Sequence, residues 1–243
     1  MSMMFTKEIL FLHVPKTGGA SVSHYLLGVL PRPIHYVRQK PFNAKRVNVE
    51  NLVYIPGLSH TELSGAREIV AQHGFDIDAF PLVLTVIHNP YDMAVSHYAY
   101  LRRPDTPPRK TGPLLQLARR SSFKEFLEGT VERRNLNFMK RFYDYFHLDG
   151  NRPANLRVAR FERLAEDVKA ALADIGLQSD APFPWLNKSE RGTYTSYFDR
   201  DAEELVYAKA KWVFEEGYYD RLDVEAAREN DQEAVSVAGQ RER

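Results

Sequence analysis

Ile9-Leu10-Phe11-Leu12-His13-Val14 is a nearly unbroken apolar run that halts at Pro15, and it constrains this chain more than any other feature. A run so short and so uniformly apolar suits a strand whose sheet is covered on both faces, as parallel sheets are. Pro15-Lys16-Thr17-Gly18-Gly19-Ala20-Ser21 then forms a glycine-containing turn, and Val22 to Leu30 reads as a helix closed by Pro31. Strand, glycine loop and helix in that order open an α/β nucleotide-binding unit.

The remaining segments extend the pattern. Pro81 to Ile87 is a second buried-strand signal; it ends at His88-Asn89-Pro90, and Asp92 to Arg103 has helical character. Leu52 to Ile55 and Leu156 to Ala159 are further strand candidates, with a helix ending near Gln72 after the first. Phe161, Leu164, Val168, Leu172 and Ile175 recur at helical spacing before Gly176, as do Leu205, Ala208, Trp212 and Val213 before Gly217. Pro31 to Val49, broken by three prolines and rich in Arg and Lys, reads as a loop, and so does Arg103 to Lys110. The expectation is a single α/β domain over 1–222, with a central, mostly parallel sheet of about four or five strands flanked by helices. A polar, frayed tail is expected over 223–243.

Composition bounds the function. Apolar residues make up 44% and charged residues 27% of 243, which excludes wholesale disorder, collagen and coiled coil. The net charge of +1 offers no general basic excess for nucleic acid. The absence of cysteine removes disulfides, thiolate metal sites and cysteine nucleophiles, and it fits a reducing compartment. The apolar run at Ile9 is far below the roughly 18 residues of a membrane span, so a cytoplasmic setting is expected. Eight histidines fall in no H-E-x-x-H spacing, so no metal is expected.

The first loop carries the chemistry. Adjacent glycines let several backbone N–H groups face one anion, and the following helix adds the positive end of its dipole. Lys16 supplies a full charge, while Thr17 and Ser21 supply hydroxyls. These groups suit phosphate or sulfate; the plainer alternative is a tight turn with a solvated lysine. The nucleoside-triphosphate loop has another order, G-x-x-x-x-G-K-[ST], with its lysine after the glycines. Here Lys16 precedes Gly18 and Gly19, which weakens a kinase or ATPase reading.

Phe11 to Ser21 resembles the 5′-phosphosulfate loop of sulfotransferases that use 3′-phosphoadenosine 5′-phosphosulfate (PAPS), nearest to the carbohydrate branch and its bacterial family-2-like relatives. Thr85 to Tyr98, with His88-Asn89-Pro90 and Ser96, is similar to that family's 3′-phosphate segment. Fainter likenesses occur at Gly57 to Leu63, Asn135 to Asn137 and Leu186 to Ser189. The resemblance implies a P-loop-like fold and sulfuryl transfer to a hydroxyl, on a carbohydrate or glycolipid. PAPS would become 3′-phosphoadenosine 5′-phosphate (PAP), with no metal, and the enzyme would be a soluble bacterial type. It implies that Pro15, Lys16, Thr17, Gly18, Gly19, Ala20 and Ser21 hold the 5′-phosphate, with Lys16 catalytic, and that Ser96 meets the 3′-phosphate. His88 stands here in place of the family's arginine before Asn-Pro, as the expected 3′-phosphate contact, with Lys188 and Arg191 the candidate compensating cations. His60 is the expected general base, displaced by one position from the family pattern, with Glu62 in reserve. His13 reads as a core histidine. The competing readings are a nucleotide kinase or ATPase, and a non-catalytic relative that keeps only the cradle.

Overall fold

A computed structural model describes residues 3–39, 50–57, 60–104, 106, 112–132, 142–186, 193–227 and 229. Strands β1 (Met3–Phe5), β2 (Ile9–Leu12), β3 (Ile34–Arg38), β4 (Leu52–Pro56), β5 (Leu82–Ile87) and β6 (Leu156–Arg160) form one sheet in the order β4-β3-β1-β2-β5-β6. β2 pairs parallel with β5, β5 with β6 and β3 with β4. Only β1 opposes its neighbours, antiparallel to β2 on one side and to β3 on the other. The sheet is thus mostly parallel, as expected, but it has six strands.

The two additional strands correct the sequence reading. Met3–Phe5 is too short to announce itself, and Ile34–Arg38 lies inside the stretch read as loop. Ile34, Tyr36 and Val37 are buried, and β3 gains hydrogen-bonding partners on both edges. Pairing outweighs the prolines at 31 and 33, which fall just before the strand, where a missing N–H costs the ladder nothing.

Helix α1 (Gly19–Val29) leads from β2 to β3, α2 (Leu63–Gln72) lies between β4 and β5, and α6 (Leu164–Ala173) follows β6. Alternate residues of the buried strands feed two faces. Ile9, Phe11, Leu84 and Val86 join Val22 and Leu26 of α1 and Val168 and Leu172 of α6 in one apolar cluster. On the opposite face Phe5 stacks on His35 and meets Phe75 and Phe80 edge-on. Covering both faces accounts for the uninterrupted apolar runs that flagged β2 and β5.

The chain divides into two compact units. The sheet, its helices and the segment from Arg141 to Lys188 form one with Met1–His88; Asn89–Lys140 and Ser189–Arg243 form the other. The second unit contains α3 (Pro90–Arg102), α4 (Gly112–Arg120), α5 (Phe123–Glu132) and α7 (Arg200–Glu215). Asn89 caps α3 by accepting from the Tyr91 N–H at 3.0 Å, with Pro90 at the first helical position. Asp199 caps α7 in the same way through the Ala202 N–H at 2.8 Å. Tyr91, wholly buried, donates its hydroxyl to Glu203 at 2.5 Å, and Arg221 grips both oxygens of that carboxylate at 2.9 and 2.7 Å. Of the expected C-terminal tail, residues 224–227 are helical; most of 228–243 lies outside the described residues.

Candidate functional site

Parallel strands β2, β5 and β6 end side by side, so the residues just beyond them gather at one edge of the sheet. This is where open α/β sheets place their ligand sites. Beyond β2 comes the turn 13–18, beyond β5 comes His88, and beyond β6 comes Phe161. The turn has an unusual backbone. Lys16 and Gly18 both adopt left-handed conformations, φ 64° and 73°, and Gly18 is the N-cap of α1. A non-glycine residue there is uncommon and marks a backbone held by its surroundings. The helical hydrogen bonds begin at the Ser21 N–H, which donates to Gly18 O at 2.9 Å. The preceding amides, those of Gly19 and Ala20, belong to the turn where a helix has no acceptor of its own to offer.

Both glycines are required by packing. A Cβ on Gly18 would stand 2.8 Å from Leu164 Cδ2 and 3.0 Å from Phe161 Cε2. A Cβ on Gly19 would fall 2.0 Å from the His13 ring. His13, buried at the end of β2 as expected, therefore forms a wall of the turn by lying over the Gly19 backbone.

The side chains divide into those that build the turn and those that face a ligand. The Thr17 hydroxyl, expected to serve an anion, instead donates to the Val14 carbonyl at 2.9 Å in a fully buried setting. Its work is to close the turn. Ser21 Oγ accepts from the Leu186 N–H at 2.9 Å, leaving its own proton as the donor. This bond ties the segment before Asn187 to the start of α1. Pro15, Lys16, Gly18 and Ala20 are half-buried. His88 is 1% exposed; its Nδ1 lies 2.8 Å from Lys16 O, and its ring rests 4.0 Å from that of Phe161. Because a carbonyl only accepts, Nδ1–H donates.

His60 comes to the same turn from the chain before α2. Its Nδ1 donates to His13 O at 3.1 Å, and the two rings meet edge to face at 4.9 Å. Its backbone is also left-handed, φ 72°. Donation from Nδ1 makes Nε2 the basic nitrogen of the neutral ring. Glu62, two residues on, is the N-cap of α2. Ser96 sits half-buried on α3, in the other unit. Lys188 and Arg191 lie outside the described residues, as do the Asn135–Asn137 likeness and Leu58 and Ser59.

Sequence reasoning found the turn but not what holds it. Phe161 was read only as part of a helical repeat and Leu186 only as part of a faint likeness, and the bond from His88 to Lys16 was missed; the position of Phe161 just after a parallel strand was the signal that could have drawn it to the turn. Among the described residues no cluster of three or more His, Asp or Glu side chains is placed to hold a metal. No described helix is long and apolar enough to cross a membrane.

No protein-family model and no curated protein matches the chain. Its fold is that of a sulfotransferase. The chain is similar to the crystal structure of mouse sulfotransferase SULT7A1 complexed with PAP, with TM-score 0.51 and 13% identity, covering 96% of this chain and 90% of that one. It also resembles a sulfotransferase from Alicyclobacillus acidocaldarius at 17% identity and TM-score 0.47, over 92% and 99% of the respective chains.

Proposed function

We propose that the chain is a sulfotransferase moving a sulfuryl group from PAPS to a hydroxyl of a carbohydrate acceptor. One observation carries the reading: the turn between β2 and α1 sets the first amides of α1 beside a lysine, at the carboxyl edge of buried parallel strands. Such an arrangement binds an anion through oriented N–H groups, helix dipole and fixed charge together. The fold shared with mouse SULT7A1 complexed with PAP supports the choice of nucleotide, and the resemblance of Phe11–Ser21 to the phosphosulfate loop supports the reaction.

PAPS supplies an activated sulfuryl group whose leaving group is a 5′-phosphate. The Gly19 and Ala20 amides and the Ser21 hydroxyl bind that phosphate. As the bond from sulfur to the bridging oxygen breaks, the Lys16 ammonium neutralises the charge growing there, which binds the transition state more tightly than the ground state. His60 Nε2 takes the proton of the acceptor hydroxyl as its oxygen bonds to sulfur. The carbonyl of His13 orients that imidazole, in the way a backbone partner fixes a catalytic tautomer. On the resemblance alone, Ser96, Lys188 and Arg191 are assigned to the 3′-phosphate.

Thermal denaturation with PAP, and separately with ATP and magnesium, tests the reading. Ligand at about a hundred times its Kd adds roughly 2.7 kcal/mol to stability. PAP is expected to raise Tm clearly in the native protein and far less in Lys16→Ala. No shift with PAP, or a larger one with Mg-ATP, would overturn it. Transfer of radiolabelled sulfate from PAPS to a panel of glycans then tests the acceptor class.

A further inference from the structure

Lys16 presents a problem that its own sequence neighbours do not solve. It is a non-glycine residue held at φ 64°, in the turn that must place a charge with care. A residue keeps such a backbone only where surrounding groups over-determine it. One group that holds it is 72 positions away: His88 Nδ1–H donates to the Lys16 carbonyl at 2.8 Å. The imidazole is itself fixed, being 1% exposed and set against Phe161 at 4.0 Å, the same ring that crowds Gly18. Lys16 O, His88 and Phe161 thus form one packed column across the ends of β2, β5 and β6.

We propose that His88 is the positioning residue of the cradle: it fixes the backbone of Lys16, and hence the root of the catalytic side chain, through the Lys16 carbonyl, and does not act as a charge on the nucleotide's 3′-phosphate. This rests on the sulfotransferase reading and deepens it. The chemistry favours histidine over arginine for the task. An imidazole carries a donor one bond beyond Cγ, is planar enough to lie on Phe161, and enters the buried slot without a permanent charge. A guanidinium puts its donors several bonds further out and brings a charge that burial penalises. Asparagine, with Nδ2 one bond beyond Cγ, preserves the donor and loses the ring.

Native protein, His88→Asn, His88→Leu and His88→Arg are compared for binding of PAP and of AMP, which lacks the 3′-phosphate. Retention of fold is checked by circular dichroism, and the 31P spectrum of bound PAP reports the two phosphates separately. Loss of a buried hydrogen bond is expected to weaken His88→Leu about tenfold or more, equally for PAP and AMP. His88→Asn is expected to bind better than either His88→Leu or His88→Arg, and only the 5′-phosphate resonance is expected to move. A loss confined to PAP, a displaced 3′-phosphate resonance, or tighter PAP binding by His88→Arg than by native protein would overturn the proposal while leaving the sulfotransferase reading in place. If His88→Leu does not fold, the order of His88→Asn and His88→Arg decides the matter. Native protein binding neither nucleotide would bring down the sulfotransferase reading itself, and this proposal with it.

Discussion

The His13 ring lies so close over Gly19 that even a methyl group there would occupy its volume. Gly19→Ala is therefore expected to lower Tm and to weaken PAP binding about tenfold or more, as overpacking against a buried ring does; calorimetric titration beside a melting curve checks both. At His60 the two effects should separate. Removing a general base typically costs about 10²- to 10⁴-fold in rate, so His60→Ala is expected to lose turnover by that order while PAP affinity holds. An undiminished rate would move the base to Glu62. The residues proposed to touch the anion were legible because they stand together in the chain and share one chemistry. Those that hold them were not. The bond from His88 to Lys16 and the contact of His13 with Gly19 exist only once β2 and β5 lie side by side, and nothing local to either partner advertises it. The bond from the Thr17 hydroxyl to Val14 O was hidden for a related reason: a hydroxyl reads the same whether it serves a ligand or the carbonyl three residues before it.

Among the elements, the long apolar runs declared β2 and β5, and the Asn89-Pro90 pair declared the start of α3 with the very residues the resemblance had marked for function. β3 was hidden because prolines and arginines around Ile34–Arg38 speak locally for a loop, while pairing with β1 and β4 speaks tertiarily for a strand. The junction of α5 and α7 carries its own prediction. Lys209 Nζ donates to Thr130 Oγ1 at 2.7 Å and to Leu127 O at 3.3 Å, where burial lowers its pKa from 10.5 to about 8. Between those values the unfolded chain holds a proton that the folded chain has released, so this group makes stability rise with pH from about 8 to 10.5. Below about 8 the folded chain bears the full cost of the desolvated charge. Lys209→Met is expected to raise Tm below that pH and to flatten the rise above it. Leu127 O keeps a donor in the variant, the Thr130 hydroxyl at 2.7 Å. Melting curves from pH 6 to 10.5 on both proteins check the slope.

Over the whole molecule, the cradle and the Glu203 knot belong to different units, and that division was not visible in composition, because the chain passes between the units more than once. Glu203 is 3% exposed, and Arg221 and Tyr91 are what make its burial tolerable. Arg221→Leu removes the countercharge and strands a buried carboxylate, which is strongly destabilising. Its Tm is expected to fall well below native, while PAP still raises it by part of the native increment, since the groups proposed for the 5′-phosphate lie in the sheet unit and Ser96 and Arg191, proposed for the 3′-phosphate, lie in the other. Scanning calorimetry with and without PAP measures both. A PAP increment abolished along with the stability would mean that ligand binding depends on the second unit's integrity.

The short β1 has a disproportionate part in this. Two blocks of parallel strands, β4-β3 and β2-β5-β6, touch within the sheet only through Met3–Phe5, which clasps both like a zip slider between two rows of teeth. Whatever is spliced on ahead of Met3 must leave that clasp engaged, and excising these few residues would unfasten the sheet along its middle, not merely trim an end.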